Sequence, residues 1–172
     1  VDDQQMQAIV ERANNAFATW SVTPVTQRAA VLFKTADALE THRDELIAMC
    51  IKEAGKTPAD GVAEVREAVD FCRYYAARAE ELLTTKADEE NKLSSRGVVL
   101  CISPWNFPLA IFLGQVSAAI VTGNTVVAKP AEQTSLVALR TIELMIASGL
   151  PQDVVIPVIA RGSKVGQTIV PD

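Results

Sequence analysis

Two short stretches carry residues whose types and spacing suit chemistry. The first is PWNFP, residues 104–108, where Asn106 stands between two prolines. Prolines restrict the backbone on either side, and an amide held that way can donate a hydrogen bond into a cleft, as an oxyanion hole requires. The same side chain could instead satisfy its own turn, the commoner use of a turn asparagine. The second stretch is KPAEQT, residues 129–134, with Lys129 three residues ahead of Glu132. A cation and a carboxylate at the end of a strand suit a ribose and its neighbouring phosphate. The plain alternative is a surface ion pair of little energetic weight.

Other candidates are weaker. Cys50, Cys72 and Cys101 are odd in number, lack CxxC spacing and sit in apolar surroundings. They read as buried, reduced thiols. His42 is the only histidine, so no Ser/His/Asp triad and no His-based zinc site can be built within the chain. A solvated or capping role suits it, and no metal site is expected. Gly162 and Gly166 permit close approach of a cofactor, but no GxGxxG follows the first strand. Trp105, Phe107 and Phe112 could line an apolar pocket or simply belong to the core.

The elements that must position these residues are legible. An apolar strand over 98–103 stops at PWNFP, and helical spacing follows over 109–121. A second β-branched strand over 125–129 is cut off by Pro130. Strand, crossover helix and strand predict a parallel pair with a right-handed connection. Ligands collect beyond the carboxyl ends of such strands, where Asn106, Lys129 and Glu132 fall. Thr134 is expected to cap a helix closed by Gly149-Leu150-Pro151. A third strand over 154–159 is demoted towards an edge or bulge by Pro157, and a last helix begins near Lys164.

Upstream, Met6, Ile9, Val10, Ala13, Phe17 and Trp20 mark one amphipathic helix. Thr23-Pro24 reads as a cap with proline at the first position of a second helix. A third, or the same one kinked near Thr41-His42, ends at Gly55. A long helix over 59–83 follows, with Val62, Val65, Val69 and Cys72 on one face. Its Glu64, Arg66, Glu67, Asp70 and Arg73 read as a solvated face with pairs such as Asp70–Arg73. The composition divides the chain into a helical section, 1–83, a linker or edge hairpin, 84–95, and an α/β section, 96–172.

Hydrophobic residues make up 49% and charged residues 22%, the balance of a soluble globular protein. A net charge of −5 without a Lys/Arg-rich run argues against nucleic acid and anionic membranes as partners. No apolar run reaches transmembrane length and no leader opens the chain, so a cytoplasmic protein is expected.

PWNFP, followed by GNTVVAKPAEQT at 123–134, resembles the aldehyde dehydrogenase superfamily. The resemblance runs on to Gly162 and Gly166 and back to RYYA at 73–76. The stretches at 53–76 and 101–119 are similar to one branch, the L-glutamate γ-semialdehyde (pyrroline-5-carboxylate) dehydrogenase module of bifunctional proline utilization enzymes. The resemblance implies an α/β fold: amino-terminal helices plus the first half of a Rossmann-like parallel sheet. It implies NAD as cofactor, with FAD confined to the proline dehydrogenase part of a bifunctional parent. Asn106 then steadies the oxyanion of the thiohemiacetal, and Lys129 and Glu132 hold the adenosine ribose. The backbone of Ile102, Ser103, Pro104 and Trp105 runs along the cofactor, with Gly162 and Gly166 near its adenine half. Phe107 and Ile111 match positions lining the aldehyde tunnel, and so does Glu67.

The family's nucleophilic Cys, general-base Glu and nicotinamide-side FTGS turn belong beyond residue 172. The chain therefore reads as an amino-terminal piece, inactive alone, of a parent expected to be a homo-oligomer. Ala160, Pro157 and the missing proline before Arg96-Gly97 depart from the family pattern and point to a locally altered adenine pocket. Two other readings stay open: a non-catalytic scaffold with this fold, and a helical interaction domain that pairs through an open sheet edge.

Overall fold

The β-branched runs Val98–Ile102 (β1) and Thr125–Lys129 (β2) pair in parallel, with Val98 opposite Thr125 and Ile102 opposite Lys129. A third strand, Val155–Pro157 (β3), joins the other side of β2, giving the order β1-β2-β3. This computed structural model describes residues 2–85 and 93–169. Helices Asp3–Trp20 (α1), Val25–Thr41 (α2), Arg43–Ala54 (α3) and Pro58–Thr85 (α4) precede the sheet. Ala110–Val121 (α5) crosses from β1 to β2, Ser135–Ala147 (α6) from β2 to β3, and Gly162–Ile169 (α7) follows. The chain is mostly helical around a small parallel sheet.

The period of two along each strand decides which helices cover which face. Val127, Ile156 and Val158 pack with Met6 and Ala13 of α1 and Val165 of α7. Val126, Ala128, Cys101 and Val155 turn the other way, into one core with α2, α4, α5 and α6. The Thr125 hydroxyl donates to the Ala13 carbonyl at 2.9 Å, tying α1 to the middle strand. The helical section and the sheet thus share packing across the composition break.

Local expectations meet several corrections. Pro24 lies just outside α2, its carbonyl accepting from the N–H groups of Gln27 and Arg28 at 3.0 and 3.1 Å. Thr23 does not cap: its hydroxyl bonds back to the Thr19 carbonyl. Of the two readings at Thr41-His42 the separate third helix holds, with His42 between α2 and α3 and its Nδ1 3.0 Å from Glu45 Oε2. Gly55 does end α3, at φ 65°, where a side chain would be strained. On α4, Val62 is exposed and Glu64 is buried. Arg73 reaches Asp37 and Glu40 of α2 rather than Asp70. Of the expected linker, residues 86–92 lie outside the described residues, and α4 runs to Thr85.

Proline in β3 is explained by the ladder. Ala128 lies opposite Pro157, and the N–H of Val158 donates to the Ala128 carbonyl at 2.8 Å. The residue opposite in a parallel ladder turns its own N–H and C=O away. The missing donor of Pro157 therefore faces outward, at the edge of the described sheet, where it breaks no bond.

Candidate functional site

The carboxyl ends of β1 and β2 are level, because Ile102 pairs with Lys129 and the Ser103 N–H donates to the Lys129 carbonyl at 3.1 Å. Strand parity points Ile102 and Lys129 to the α1 face. Lys129 is buried, its ammonium donating to the Pro130 carbonyl at 3.0 Å and lying 3.6 Å from Glu132 Oε2. Glu132 opens a single 3₁₀ turn, Glu132–Thr134. Its own backbone N–H holds its carboxyl below the ordinary range, aided by the Lys129 ammonium and the N–H of Gly162. So the end of β2 and the start of α7 meet around one ionised carboxylate. Gly166 lies one turn further along α7.

Asn106 occupies the same rim four residues after β1, in the turn that crosses to α5 on the opposite face. It is exposed, and among the described residues no group hydrogen-bonds its side chain or links it to the Lys129–Glu132 pair. Ser103 is buried with its hydroxyl unpartnered, whereas Ile102 and Trp105 are 49% and 56% exposed. The rim thus offers an unused amide, an unused hydroxyl and open apolar surface beside a cation and an anion. The structure brings together Ile102, Ser103, Lys129, Glu132 and Gly162. Pro104, Trp105, Asn106 and Phe107 follow in the crossing turn.

Two of the tunnel candidates, Glu67 and Ile111, belong to α4 and α5, helices that pack against each other. Glu64 meets the first turn of α5, and the Phe71 ring lies 3.0 Å from where a Cβ on Gly114 would stand. Glu67 falls between Glu64 and Phe71 along α4 and is exposed.

Three structural roles were not read from the sequence: those of Glu53 and Arg28, and that of Glu64, whose reading as part of a solvated face fails because it is buried. Glu53 accepts the N–H groups of Leu136 and Val137 at 2.9 and 2.8 Å, capping α6 from another helix. Thr134, the expected cap, makes no such bond, and its hydroxyl is buried without a partner. Glu64 likewise accepts from Leu109 and Ala110 at the start of α5, at 3.2 and 2.9 Å. Arg28 pins the far end of α5 through the Val121 carbonyl, at 2.9 Å. The wheel held a signal for Glu64: it shares the stripe of Gly61, Val65, Ala68 and Cys72. Caps made by distant helices leave no mark in the local sequence.

None of the thiols is poised to react. Cys50, Cys72 and Cys101 are free and buried. Burial pushes Cys50 and Cys72 up to about 12 and Cys101 to about 11. At pH 8 a disulfide reagent should therefore find no thiol in the folded chain and all three in guanidinium. Rapid titration of even one equivalent without denaturant would contradict this.

No helix among the described residues is long and apolar enough to cross a membrane. The sequence profile described as the Aldehyde dehydrogenase family matches residues 1–172. The chain is 43% identical over 171 residues to the Bifunctional protein PutA of Salmonella typhimurium, covering 99% of this chain and 12% of that protein. It is 40% identical over 168 residues to 1-pyrroline-5-carboxylate dehydrogenase 2 of Bacillus subtilis, covering 94% of this chain and 33% of that protein. It thus spans between about a tenth and a third of the length of these relatives. A crystal structure of bifunctional proline utilization A superposes with a TM-score of 0.93 at 42% identity, over 98% of this chain and 18% of that one. A Thermus 1-pyrroline-5-carboxylate dehydrogenase with bound NAD gives 0.88 at 34% identity, over 96% of this chain and 34% of that one. With the profile spanning every residue, the chain belongs to the aldehyde dehydrogenase family.

Proposed function

We propose that this chain is the part of an NAD-dependent aldehyde dehydrogenase that holds the adenosine half of the cofactor and supplies the oxyanion amide. Its parent would oxidise L-glutamate γ-semialdehyde to glutamate in proline catabolism. The observation that carries this is the convergence of Lys129, Glu132 and Gly162 at the carboxyl rim of a parallel sheet that Asn106 shares. The relatives named for proline utilization and pyrroline-5-carboxylate, and the NAD-bound Thermus structure, support it.

The residues fit the cofactor. The Lys129 ammonium has three donors and donates one to Pro130, so it can still donate to a ribose oxygen. Glu132, ionised, accepts from ribose hydroxyls. The unpartnered Ser103 hydroxyl and the exposed Ile102 and Trp105 offer a polar contact and apolar cover along the rim. Gly162 keeps the start of α7 open, with nothing within 4 Å of where its Cβ would stand. NAD, when bound, supplies the hydride acceptor.

Asn106 acts on the substrate side. Its amide donates to the oxygen that gains negative charge when a thiolate adds to the aldehyde, and the donation strengthens as that charge grows. Phe107, Ile111 and Glu67 line the approach of the aldehyde. None of the three buried thiols suits the nucleophile's part, so that thiolate comes from elsewhere in the parent, as the family resemblance implies for the general base too. Assembly into a homo-oligomer belongs to the parent as well.

Titrating NAD into the full-length parent tests the assignment. Lys129→Met and Glu132→Gln should each raise the NAD Kd about 10-fold, the size of one hydrogen bond to a charged group, about 1.5 kcal/mol. Because the Glu132 carboxyl is held below the ordinary range, its contribution persists as pH falls and is lost only through that depressed pKa. The gap between wild type and Glu132→Gln should then stay flat from about pH 8 to about pH 5. NAD affinity unchanged in both variants would remove the basis of the proposal.

A further inference from the structure

The turn that carries Asn106 is held by residues about forty to fifty positions upstream. Glu64 is 1% exposed on α4. Its Oε2 accepts the N–H groups of Leu109 and Ala110 at 3.2 and 2.9 Å. These are orphan donors of the first turn of α5, and Leu109, at the N-cap position, offers no side-chain cap of its own. The other oxygen, Oε1, lies 3.0 Å from the Lys56 ammonium and has no aligned hydrogen bond. That contact is an ion pair by distance. Lys56 is itself largely covered, its side chain 14% exposed. Its ammonium also stands 4.1 Å from the centroid of the Phe107 ring, within cation–π range.

These contacts close on the residues flanking Asn106. Phe107 is its immediate neighbour, and Leu109 is three residues on. Pro104 and Pro108 have no N–H to fix the turn by a backbone bond. The position of the Asn106 amide therefore depends on the Phe107 ring and on the start of α5. Both are set by the Lys56–Glu64 pair. A displacement of about 1 Å in a donor aimed at a developing charge is enough to lower a rate substantially.

We propose that Lys56 and Glu64 are positioning residues for the Asn106 amide: Glu64 anchors the first turn of α5 and Lys56 clamps the Phe107 ring over it. This rests on the reading of Asn106 as the oxyanion donor. Neither residue is among those assigned above to the aldehyde or the cofactor.

The test uses the full-length parent, assayed by NAD reduction with pyrroline-5-carboxylate, rates being normalised to titrated active sites. Lys56→Met and Glu64→Gln should each lower kcat at least about 10-fold with the NAD Kd unchanged. Glu64→Gln keeps an acceptor for the α5 donors, so it tests the pair without stripping the helix cap. Lys56→Arg, which keeps both the charge and the stacking on Phe107, should recover most of the rate. A purely structural pair would slow the reaction independently of Asn106. The double variant Lys56→Met/Asn106→Ala should instead be no slower than Asn106→Ala alone.

Multiplying effects in the double variant, or wild-type kcat in both Lys56→Met and Glu64→Gln, would overturn the clamp and leave the oxyanion reading standing. Wild-type kcat in Asn106→Ala would overturn the oxyanion reading and the clamp with it. If Lys56→Met does not fold, the pair Glu64→Gln and Glu64→Gln/Asn106→Ala decides by the same comparison.

Discussion

Asn106→Ala in the full-length parent should lower kcat for aldehyde oxidation by about 10²–10³, as expected of the proposed oxyanion donor. The side chain is exposed and, among the described residues, hydrogen-bonded to nothing, so its removal orphans no partner. The turn keeps its two prolines, and the start of α5 keeps the Glu64 cap. Folding and NAD affinity should therefore match wild type, with kcat and kcat/KM falling together. Steady-state kinetics beside an NAD titration would show this. A raised KM at constant kcat would make Asn106 a ground-state binding residue instead.

The largest effect on stability is expected at Phe112. It is 1% exposed, in the first turn of the crossover helix and in the core that joins α2, α4, α5 and α6 to β1 and β2. Its neighbours in that core, Leu109, Leu113 and Val116, are also fully buried. Phe112→Ala should cost about 3–5 kcal/mol through lost burial and the cavity left behind. That corresponds to a fall in Tm on the order of 10 °C for a chain of this size. Equilibrium denaturation in urea would measure it, and a loss below about 1 kcal/mol would mean that α4 and α5 close over the gap.

The parallel β1–α5–β2 unit was legible because its cues are local. β-branched runs end at PWNFP and at Pro130, and an apolar helical period lies between them. The rim followed from the same cues, since it needs only the ends of two strands. What stayed illegible is contact between segments far apart in the chain. Glu64 falls among Arg66, Glu67 and Asp70, and only the packing of α4 on α5 shows that it is buried. Glu53 caps α6 from 83 residues upstream, a part expected of Thr134. Arg73 has an acidic neighbour at the right helical spacing and pairs with another helix instead. In each case the tertiary partner offered a better-placed charge or donor than the local one.

The two borders of the sheet are chemically unequal. Thr125 donates to the Gly97 carbonyl and Ser103 to that of Lys129. Val98, Leu100 and Ile102 therefore turn their own N–H and C=O groups to the outer side of β1, beside Gln115, Ala118 and Ala119 of α5. The proline on the far border interrupts the donor row that a newcomer would need there. Any strand recruited to this sheet, from whatever polypeptide, has a complete template only at β1. Growth in that one direction would move β1 from the margin to the interior, and the PWNFP corner with it, into the crevice between strands wound to opposite sides.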